Sequence, residues 1–279
     1  MSYKLVVDSC CDLPDALRKD PGIEVVPLSL EIGDYQVMDD EHFDQLDFIA
    51  RVAASPNPAK TACPSPDRYM RAFTGDFDEV YVVTLSSPLS GSYNSAVLGK
   101  NLYEEEYDDG KKIHVLDSWS ACCGEANIAI LIRELKEGGA SFEEVVEQAE
   151  RYKEEMRTYF VLDNLDTLRK NGRLTGVKSI VASTMNIKPV MSAEEGVIIQ
   201  RGQGIGTKKA LMKMVDIIAK ETSDVEKKRL MITHVNCYER AMTVRDMILT
   251  RCSFREAVIV DAAGVATVYA GDGGIVVTC

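Results

Sequence analysis

The stretch VYVVTLSSPLSGSYNSAVLGKNLY, residues 80–103, leads from a strand through a turn into a helix. It begins with β-branched and aromatic residues, which are typical of a strand buried on both faces. Hydroxyl-bearing and glycine residues follow from Ser86 to Ser92, and the rest has helical character. A strand that feeds a Ser/Gly turn and a helix is the repeating unit of parallel α/β sheets, so this stretch predicts the fold class.

The sequence on either side repeats the same alternation of strands and helices. The predicted helices run from about His42 to Ala54, from Gly91, and from Ala121, and a charged helix spans residues 142–156. Strand-like runs separate them, namely KLVVD (4–8), EVVPLSLEI (24–32), EVYVVTL (79–85) and KIHVLD (112–117). We therefore predict an N-terminal α/β domain, residues 1–157, with a parallel sheet flanked by helices.

The second half has a different pattern. IKPVMSAEEGVIIQRG, residues 187–202, predicts two strands joined by a turn at Glu195-Gly196. A helix is predicted from Thr207 to Lys220, with Thr207 as its cap, and another from Tyr238. Further strands are predicted in RLMITHV (229–235), EAVIVDA (256–262) and VATVYAG (265–271). This order predicts a C-terminal α/β domain, residues 158–279, with a layer of sheet and a layer of helices.

Composition excludes several classes of protein. The chain has 279 residues, 46% of them hydrophobic, and a formal net charge of -12, which argues against nucleic acid as the main partner. No apolar run approaches the ~20 residues of a membrane span, and the N-terminus has no secretion signal, so a cytoplasmic location is expected. The eight cysteines have no CxxC spacing and the three histidines are isolated, so no metal site is expected and the thiols are predicted to be reduced.

The Ser/Gly turn is compatible with three kinds of chemistry. A serine nucleophile of the hydrolase type needs a GxSxG turn, which the order Leu89-Ser90-Gly91-Ser92-Tyr93 does not match. A phosphate loop is equally poorly matched by RGQGIGTKK, residues 201–209, whose glycines follow neither nucleotide-binding pattern. An anion site at a helix N-terminus remains, through backbone N–H groups and the hydroxyls of Ser90 and Ser92, with an ordinary helix cap as the alternative.

A second hydroxyl-rich turn favours the anion site. KTACPSPDRYMRAF, residues 60–73, contains Thr61 and Ser65, with Pro66 at a predicted first helical position. If both turns lie at strand-to-helix junctions of one parallel sheet, they meet at its carboxyl edge, where such sheets bind ligands. Hydroxyls and backbone amides are the groups that these two turns are expected to offer to an anion.

Seven segments together resemble the DegV family over essentially the whole chain. They are VVDSCCDLP (6–14), VVPLSLEI (25–32), KTACPSP (60–66), LSSPLSGSYNSA (85–96), VLDSWSACCG (115–124), LRKNGRL (168–174) and IKPVMSAEEG (187–196). The resemblance implies a two-domain α/β fold that holds one long-chain fatty acid in a tunnel between domains. It also implies no other cofactor, no catalysis by the chain itself, and a separate bacterial fatty acid kinase that phosphorylates the presented carboxylate.

The resemblance assigns the carboxylate to Thr61 and Ser90, with Gly91 and Ser92 in the same turn. The family's C-terminal histidine is replaced by Tyr269, whose hydroxyl can still donate. An arginine associated with kinase docking is replaced by Ile205, which is expected on the surface beside Arg201. Apolar residues of SIVASTMNIKPV, residues 179–190, are candidates for the tunnel wall or for ordinary core packing.

One alternative comes from another functional class. The family's fold resembles the substrate half of dihydroxyacetone kinases, so a small hydroxy-ketone or a phosphorylated ligand is the second hypothesis. That chemistry needs a histidine to form an adduct or polarise the carbonyl, and Tyr269 in its place argues against it.

Overall fold

The computed structural model describes residues 2–175 and 186–279. Its strands are β1 (Tyr3–Asp8), β2 (Ile23–Val26), β3 (Ser29–Ile32), β4 (Tyr35–Met38), β5 (Lys60–Ala62), β6 (Glu79–Thr84), β7 (Lys112–Asp117), β8 (Thr158–Val161), β9 (Ile187–Glu194), β10 (Val197–Ile205), β11 (Arg229–His234), β12 (Glu256–Asp261) and β13 (Ile275–Thr278). Its α-helices are α1 (Asp15–Arg18), α2 (Gln45–Ala54), α3 (Pro66–Ala72), α4 (Ser92–Glu106), α5 (Cys123–Glu137), α6 (Phe142–Glu155), α7 (Asp166–Lys170), α8 (Gly206–Glu221), α9 (Tyr238–Leu249) and α10 (Gly264–Ala270).

A parallel sheet in the order β2-β1-β6-β7 forms the first half, as predicted. Strand β6 is buried along its whole length, and Val82 is paired with Val6 on one side and Val115 on the other. One face of the sheet packs against α3 and α4, and the other packs against α5 and α6. Coverage of both faces explains why the strand is continuously apolar.

A small antiparallel sheet in the order β4-β3-β5 corrects two expectations. The run EVVPLSLEI is not one strand, because Pro27 interrupts it and its two parts, β2 and β3, belong to different sheets. Thr61 lies in β5, paired with Leu30, and not in a turn of the parallel sheet. Ser65 caps α3 by accepting from the Arg68 amide, with Pro66 at the first helical position as predicted.

The second half is a six-stranded mixed sheet in the order β10-β9-β8-β13-β11-β12. The β9–β10 hairpin turns at Glu195-Gly196, as predicted, and both residues adopt left-handed φ values of 47° and 78°. Helices α8 and α9 cover one face of this sheet. The other face meets α5 and the first half of the chain. The predicted boundary at residues 157 and 158 falls between α6 and β8, and it stays a prediction.

Two local predictions in this half are wrong. The run VATVYAG is not a strand, because residues 264–270 form the buried helix α10. Two backbone amides at its start, those of Gly264 and Val265, donate to the Asp39 carboxylate at 2.7 and 2.9 Å. A carboxylate from a distant part of the chain thus stabilises a helix that local β propensity does not favour. Thr207 does not cap α8, since its hydroxyl donates to Asp163 Oδ1 at 2.6 Å.

Two general features complete the description. No α-helix within residues 2–175 and 186–279 is long and apolar enough to cross a membrane. All eight cysteines are free, and six of them are buried: Cys10, Cys11, Cys122, Cys123, Cys252 and Cys279.

Candidate functional site

A cavity lies between the parallel sheet and the mixed sheet. It contains about 780 Å³ of space not filled by atoms, including the part open to solvent. This size is within the usual range of small-molecule sites. Most of the wall is apolar, and it includes Leu85, Leu89, Phe160, Leu162, Ile198, Val265 and Val276. A wall of this kind suits a ligand with a long hydrocarbon portion.

Thr61 and Tyr269 meet at one end of the cavity. Their hydroxyl oxygens, Oγ1 and Oη, are 3.1 Å apart, within hydrogen-bond distance, and both residues line the cavity. Thr61 comes from β5 and Tyr269 from α10, so residues 208 positions apart in sequence form one polar point. Both residues were singled out from the sequence, and tertiary packing brings them together.

Two buried carboxyl groups hold the helix that carries Tyr269. Asp39 accepts the first two amides of α10, and Asp12 Oδ1 accepts from the Ala263 amide at 2.7 Å. Burial raises the pKa of Asp12 to about 7 and that of Asp39 to about 6. A Cβ on Gly264 would lie 2.5 Å from Leu30 Cδ1, so only glycine permits this close approach.

Ser90 lies next to this polar point and also lines the cavity. It precedes α4, whose N-terminal cap is Gly91, and its Oγ accepts from the Ser92 amide at 3.2 Å. A Cβ on Gly91 would lie 3.0 Å from Cys63 Sγ, so the Ser/Gly turn abuts the segment that follows Thr61. The two hydroxyl-rich segments therefore lie side by side.

The Ser92 hydroxyl faces the protein interior and not the cavity, which differs from the expectation for a ligand-binding group. Its Oγ donates to Asp8 Oδ2 at 2.5 Å and is 2.6 Å from the Tyr69 hydroxyl. Asp8 also accepts from the Leu85 amide at 2.8 Å and the Cys10 amide at 3.0 Å. A buried carboxylate is a stronger acceptor than a hydroxyl, so Ser92 anchors α4 to β1 beneath the cavity.

A second buried acid, Glu125, accompanies Asp8. Burial raises the pKa of Asp8, and burial together with the Asp8 charge holds the pKa of Glu125 well above its ordinary value. Both carboxyl oxygens of Glu125 are buried and accept no hydrogen bond from the described residues. Burial therefore favours the neutral form of Glu125.

Arg173 is the site residue that the sequence reasoning missed. It lines the cavity, and its Cζ lies 5.7 Å from the centroid of the Tyr269 ring. Its Nε donates to the Leu89 carbonyl at 3.1 Å, and its Nη1 donates to the Asn171 carbonyl. Among the described residues no carboxylate lies within 4 Å of its guanidinium, so its charge is uncompensated.

Arg173 adds a cation to the hydroxyls and amides that the sequence predicts for the anion site. The sequence around Arg173, LRKNGRL, indicates only a turn: Gly172, with a φ of 74°, turns the chain after α7. Nothing in that segment indicates that Arg173 contacts Leu89, the residue before Ser90, which is 84 positions earlier. The site combines three hydroxyls and a guanidinium at one end with an apolar wall beyond, which suits an amphiphile with a carboxylate head.

Ile205 is exposed as predicted, with 63% of its surface accessible, and it pairs with Ile187 across the hairpin. The expectation that it lies beside Arg201 is wrong. Arg201 forms ion pairs with Glu194 and with Glu221, the last residue of α8, whereas Ile205 immediately precedes the first. The 16 residues of α8 separate these ends by about 24 Å.

Two further expectations concern the wall and metals. Residues 179–185 of the proposed wall segment lie outside the described residues, and Val190 is buried in the core beneath α8. No group of three or more potential metal ligands occurs in residues 2–175 and 186–279.

The chain is similar to known proteins in both sequence and structure. Residues 2–278 match the sequence model of a family described as "Uncharacterised protein, DegV family". A DegV domain-containing protein of Streptococcus pneumoniae is 34% identical over 280 residues, covering 99% of this chain and 98% of the relative. The crystal structure of a DegV family protein from Ruminococcus gnavus, refined with vaccenic acid, has 51% identity and a TM-score of 0.97, covering 100% of this chain and 99% of that one. The S. pneumoniae Fatty Acid Kinase (Fak) B3 protein, loaded with linoleic acid, has 32% identity and a TM-score of 0.89 with the same coverage.

Proposed function

The chain belongs to the DegV family, and we propose that it binds one long-chain fatty acid in the cavity between its two sheets. The observation that carries the proposal is the cavity itself, which is apolar along most of its wall and polar at the end formed by Thr61, Ser90, Tyr269 and Arg173. The relatives from R. gnavus and S. pneumoniae, crystallised with vaccenic and linoleic acid, support the same class of ligand.

The carboxylate head is bound at the polar end. Arg173 supplies a charge that no described carboxylate neutralises, while the hydroxyls of Thr61, Ser90 and Tyr269 donate hydrogen bonds. Each of these hydroxyl groups can turn its proton toward an incoming anion by rotation about its C–O bond. Gly91 and Ser92 shape the turn that presents Ser90.

The acyl chain supplies most of the affinity. Each methylene removed from water contributes about 0.8 kcal/mol, so a chain of about sixteen to eighteen carbons provides far more binding energy than the head. Part of that energy is spent on ordering the chain and losing its freedom in solution. The head then determines the orientation of the ligand and contributes the smaller part of its affinity.

The protein acts as a carrier that presents the carboxylate to a separate fatty acid kinase. The name of the S. pneumoniae relative, a Fatty Acid Kinase protein, supports this partnership. We place the carboxylate at the end of the cavity that Arg173 lines, and the kinase must reach the ligand there. A small hydroxy-ketone ligand is not favoured, because it would leave the apolar wall unfilled.

The surface for the kinase is proposed to include Ile205. Its exposed apolar side chain replaces a fork of donors that an arginine would offer, so we expect weak acyl phosphate formation with a kinase whose own carrier has that arginine. Ile205→Arg should increase this rate, while Met212→Arg, an exposed position about two helical turns away, should not. Full activity of the wild type, unchanged by Ile205→Arg, would show that Ile205 lies outside the docking surface.

The ligand is tested directly by denaturing mass spectrometry of lipid extracted from the purified protein. We expect one straight-chain acid of about sixteen to eighteen carbons per chain. Delipidated protein should take up added octadecanoic acid at the same stoichiometry. Absence of both co-purified lipid and uptake would refute the proposed function.

A further inference from the structure

A pair of hydroxyl groups interrupts the apolar wall away from the polar head. Ser120 Oγ and Thr158 Oγ1 are 2.7 Å apart, and both residues line the cavity. The two residues are only 3% and 7% exposed, so they belong to the wall and not to the protein surface. Neither residue contacts Thr61, Ser90, Tyr269 or Arg173 by a hydrogen bond.

Strand β8 gives the position of this pair along the ligand. Thr158, Phe160 and Leu162 all line the cavity, as alternate residues of an extended chain do. From Leu162 the chain runs into α7 and on to Arg173, whose amide donates to the Leu168 carbonyl at 2.8 Å, so the chain is followed away from the head as it is traced back to Thr158. The separation from Leu162 to Thr158 is about 13 Å at 3.3 Å per residue. An extended acyl chain advances about 1.3 Å per carbon, so the pair lies about ten carbons beyond the level of Leu162.

The pair has hydrogen-bonding capacity to spare. Two hydroxyls carry two protons and four lone pairs, and their mutual bond uses one of each. Among the described residues Ser120 Oγ has one further hydrogen-bond acceptor, the Ala121 carbonyl, at 3.5 Å, the limit of a hydrogen bond. The position of Thr158 is held independently, because its carbonyl accepts from Ser192 Oγ at 2.7 Å.

Water has an approach to this end of the cavity. Trp119, Thr158 and Ala193 also line a neighbouring polar groove, which contains Arg157 and Arg201. A purely hydrocarbon chain would cover the hydroxyl pair without offering it a hydrogen-bond partner. An oxygen atom on the chain would lose its hydrogen bonds to water if it were buried against the apolar part of the wall, which costs free energy. The polar pair is therefore the place in the wall where an oxygen-bearing chain has a partner.

We propose that Ser120 and Thr158 form a second subsite, which binds a hydroxyl or keto oxygen on the distal half of a long-chain fatty acid. This inference rests on the proposed function, since it needs the carboxylate to lie at Arg173. A hydroxyl substituent inserts between the two oxygens or bonds to one of them, and a keto oxygen accepts the spare proton. The ligand class is thereby widened from simple fatty acids to their oxygenated derivatives.

The experiment compares three ligands with delipidated protein, by titration calorimetry: octadecanoic acid, 12-hydroxyoctadecanoic acid and 2-hydroxyoctadecanoic acid. The variants are Thr158→Val, which keeps the shape and removes the hydroxyl, and Thr158→Ser, which keeps the hydroxyl. We expect Thr158→Val to weaken binding of the 12-hydroxy acid relative to octadecanoic acid by about tenfold. Thr158→Ser should restore the wild-type ratio, and the ratio for the 2-hydroxy acid should not change with either variant.

The outcomes separate the two proposals. If octadecanoic acid does not bind to the wild type, the proposed function fails, and the subsite fails with it. If octadecanoic acid binds but Thr158→Val leaves the 12-hydroxy ratio at its wild-type value, the subsite is refuted and the proposed function stands. If Thr158→Val does not fold, Ser120→Ala provides the same comparison from the other hydroxyl.

Discussion

Replacement of Arg173 by glutamine removes the uncompensated charge at the polar end of the cavity. Glutamine keeps a side-chain amide that can donate to the Leu89 carbonyl, the acceptor of Arg173 Nε at 3.1 Å. The change therefore removes the attraction for a carboxylate while leaving a donor in place. Arg173→Lys provides a companion variant that keeps the charge and loses the planar fork.

The expected loss follows from the surroundings of the guanidinium. Hydrogen bonds to charged groups contribute about 1.5 to 3 kcal/mol, and the half-buried position of Arg173 places it near the middle of that range. A loss of about 2 kcal/mol corresponds to an increase in Kd of about thirtyfold for octadecanoic acid. The uncharged methyl octadecanoate should lose much less, within about threefold, because it offers no carboxylate.

The protein carries its own probe for this measurement. Trp119 is the one tryptophan of the chain and lines the cavity, so its fluorescence reports occupancy of the cavity by either ligand. Arg169→Gln is the matched control, since Arg169 is exposed and paired with Asp166 at 2.9 Å. Its Kd values should equal those of the wild type, as exposed ion pairs contribute little.

Two results would refute this reasoning. An unchanged Kd of Arg173→Gln for octadecanoic acid would show that the carboxylate lies elsewhere. An equal loss for the acid and the methyl ester would show that Arg173 acts by packing or by shaping the cavity, and not through its charge.

Three further predictions concern the hydroxyls and the buried acids. Thr61→Val and Ser90→Ala should each weaken octadecanoic acid binding by about 1 to 2 kcal/mol, and unchanged affinity of the double variant would reduce both residues to structural roles. Tyr269→Phe should cost about 1 kcal/mol of affinity and Tyr269→His should be tolerated, so a larger loss for histidine than for phenylalanine would contradict the donor role. The pKa values of Asp12 and Asp39, about 7 and about 6, exceed the ordinary value of 3.8. The native state therefore binds more protons than the unfolded state. The contribution of these protons to the free energy of unfolding is complete below about pH 4 and is lost as the pH rises through 6 and 7. The free energy of unfolding, measured in urea between about pH 5 and 8, should therefore fall for the wild type, and Asp12→Asn should reduce this fall by on the order of 2 kcal/mol. An equal fall for wild type and variant would argue against a neutral Asp12.

The parts of the site that could be predicted are those with a strong local signal. Thr61, Ser90 and Gly91 stand in short segments rich in hydroxyl and glycine, next to strands or helices with clear periodicity. Arg173 has no such signal, because basic residues are common in turns and most of them are solvated. Ser92 stands in the same hydroxyl-rich segment but has a different role. Its hydroxyl donates to the Asp8 carboxylate, 84 positions earlier, which is a stronger acceptor than a neutral group.

The sequence by itself determined the alternation of strands and helices around the parallel sheet, the β9–β10 hairpin and the turn before α4, because each depends on neighbouring residues and on the period of apolar side chains. Tertiary structure alone decided that residues 264–270 form a helix, because the Asp39 carboxylate that holds its first amides is more than 220 positions away. It also decided the polar end of the cavity, where β5, α10 and the turn after α7 bring Thr61, Tyr269 and Arg173 together. Contacts of this kind depend on how whole sheets pack, and no local pattern of residues encodes them.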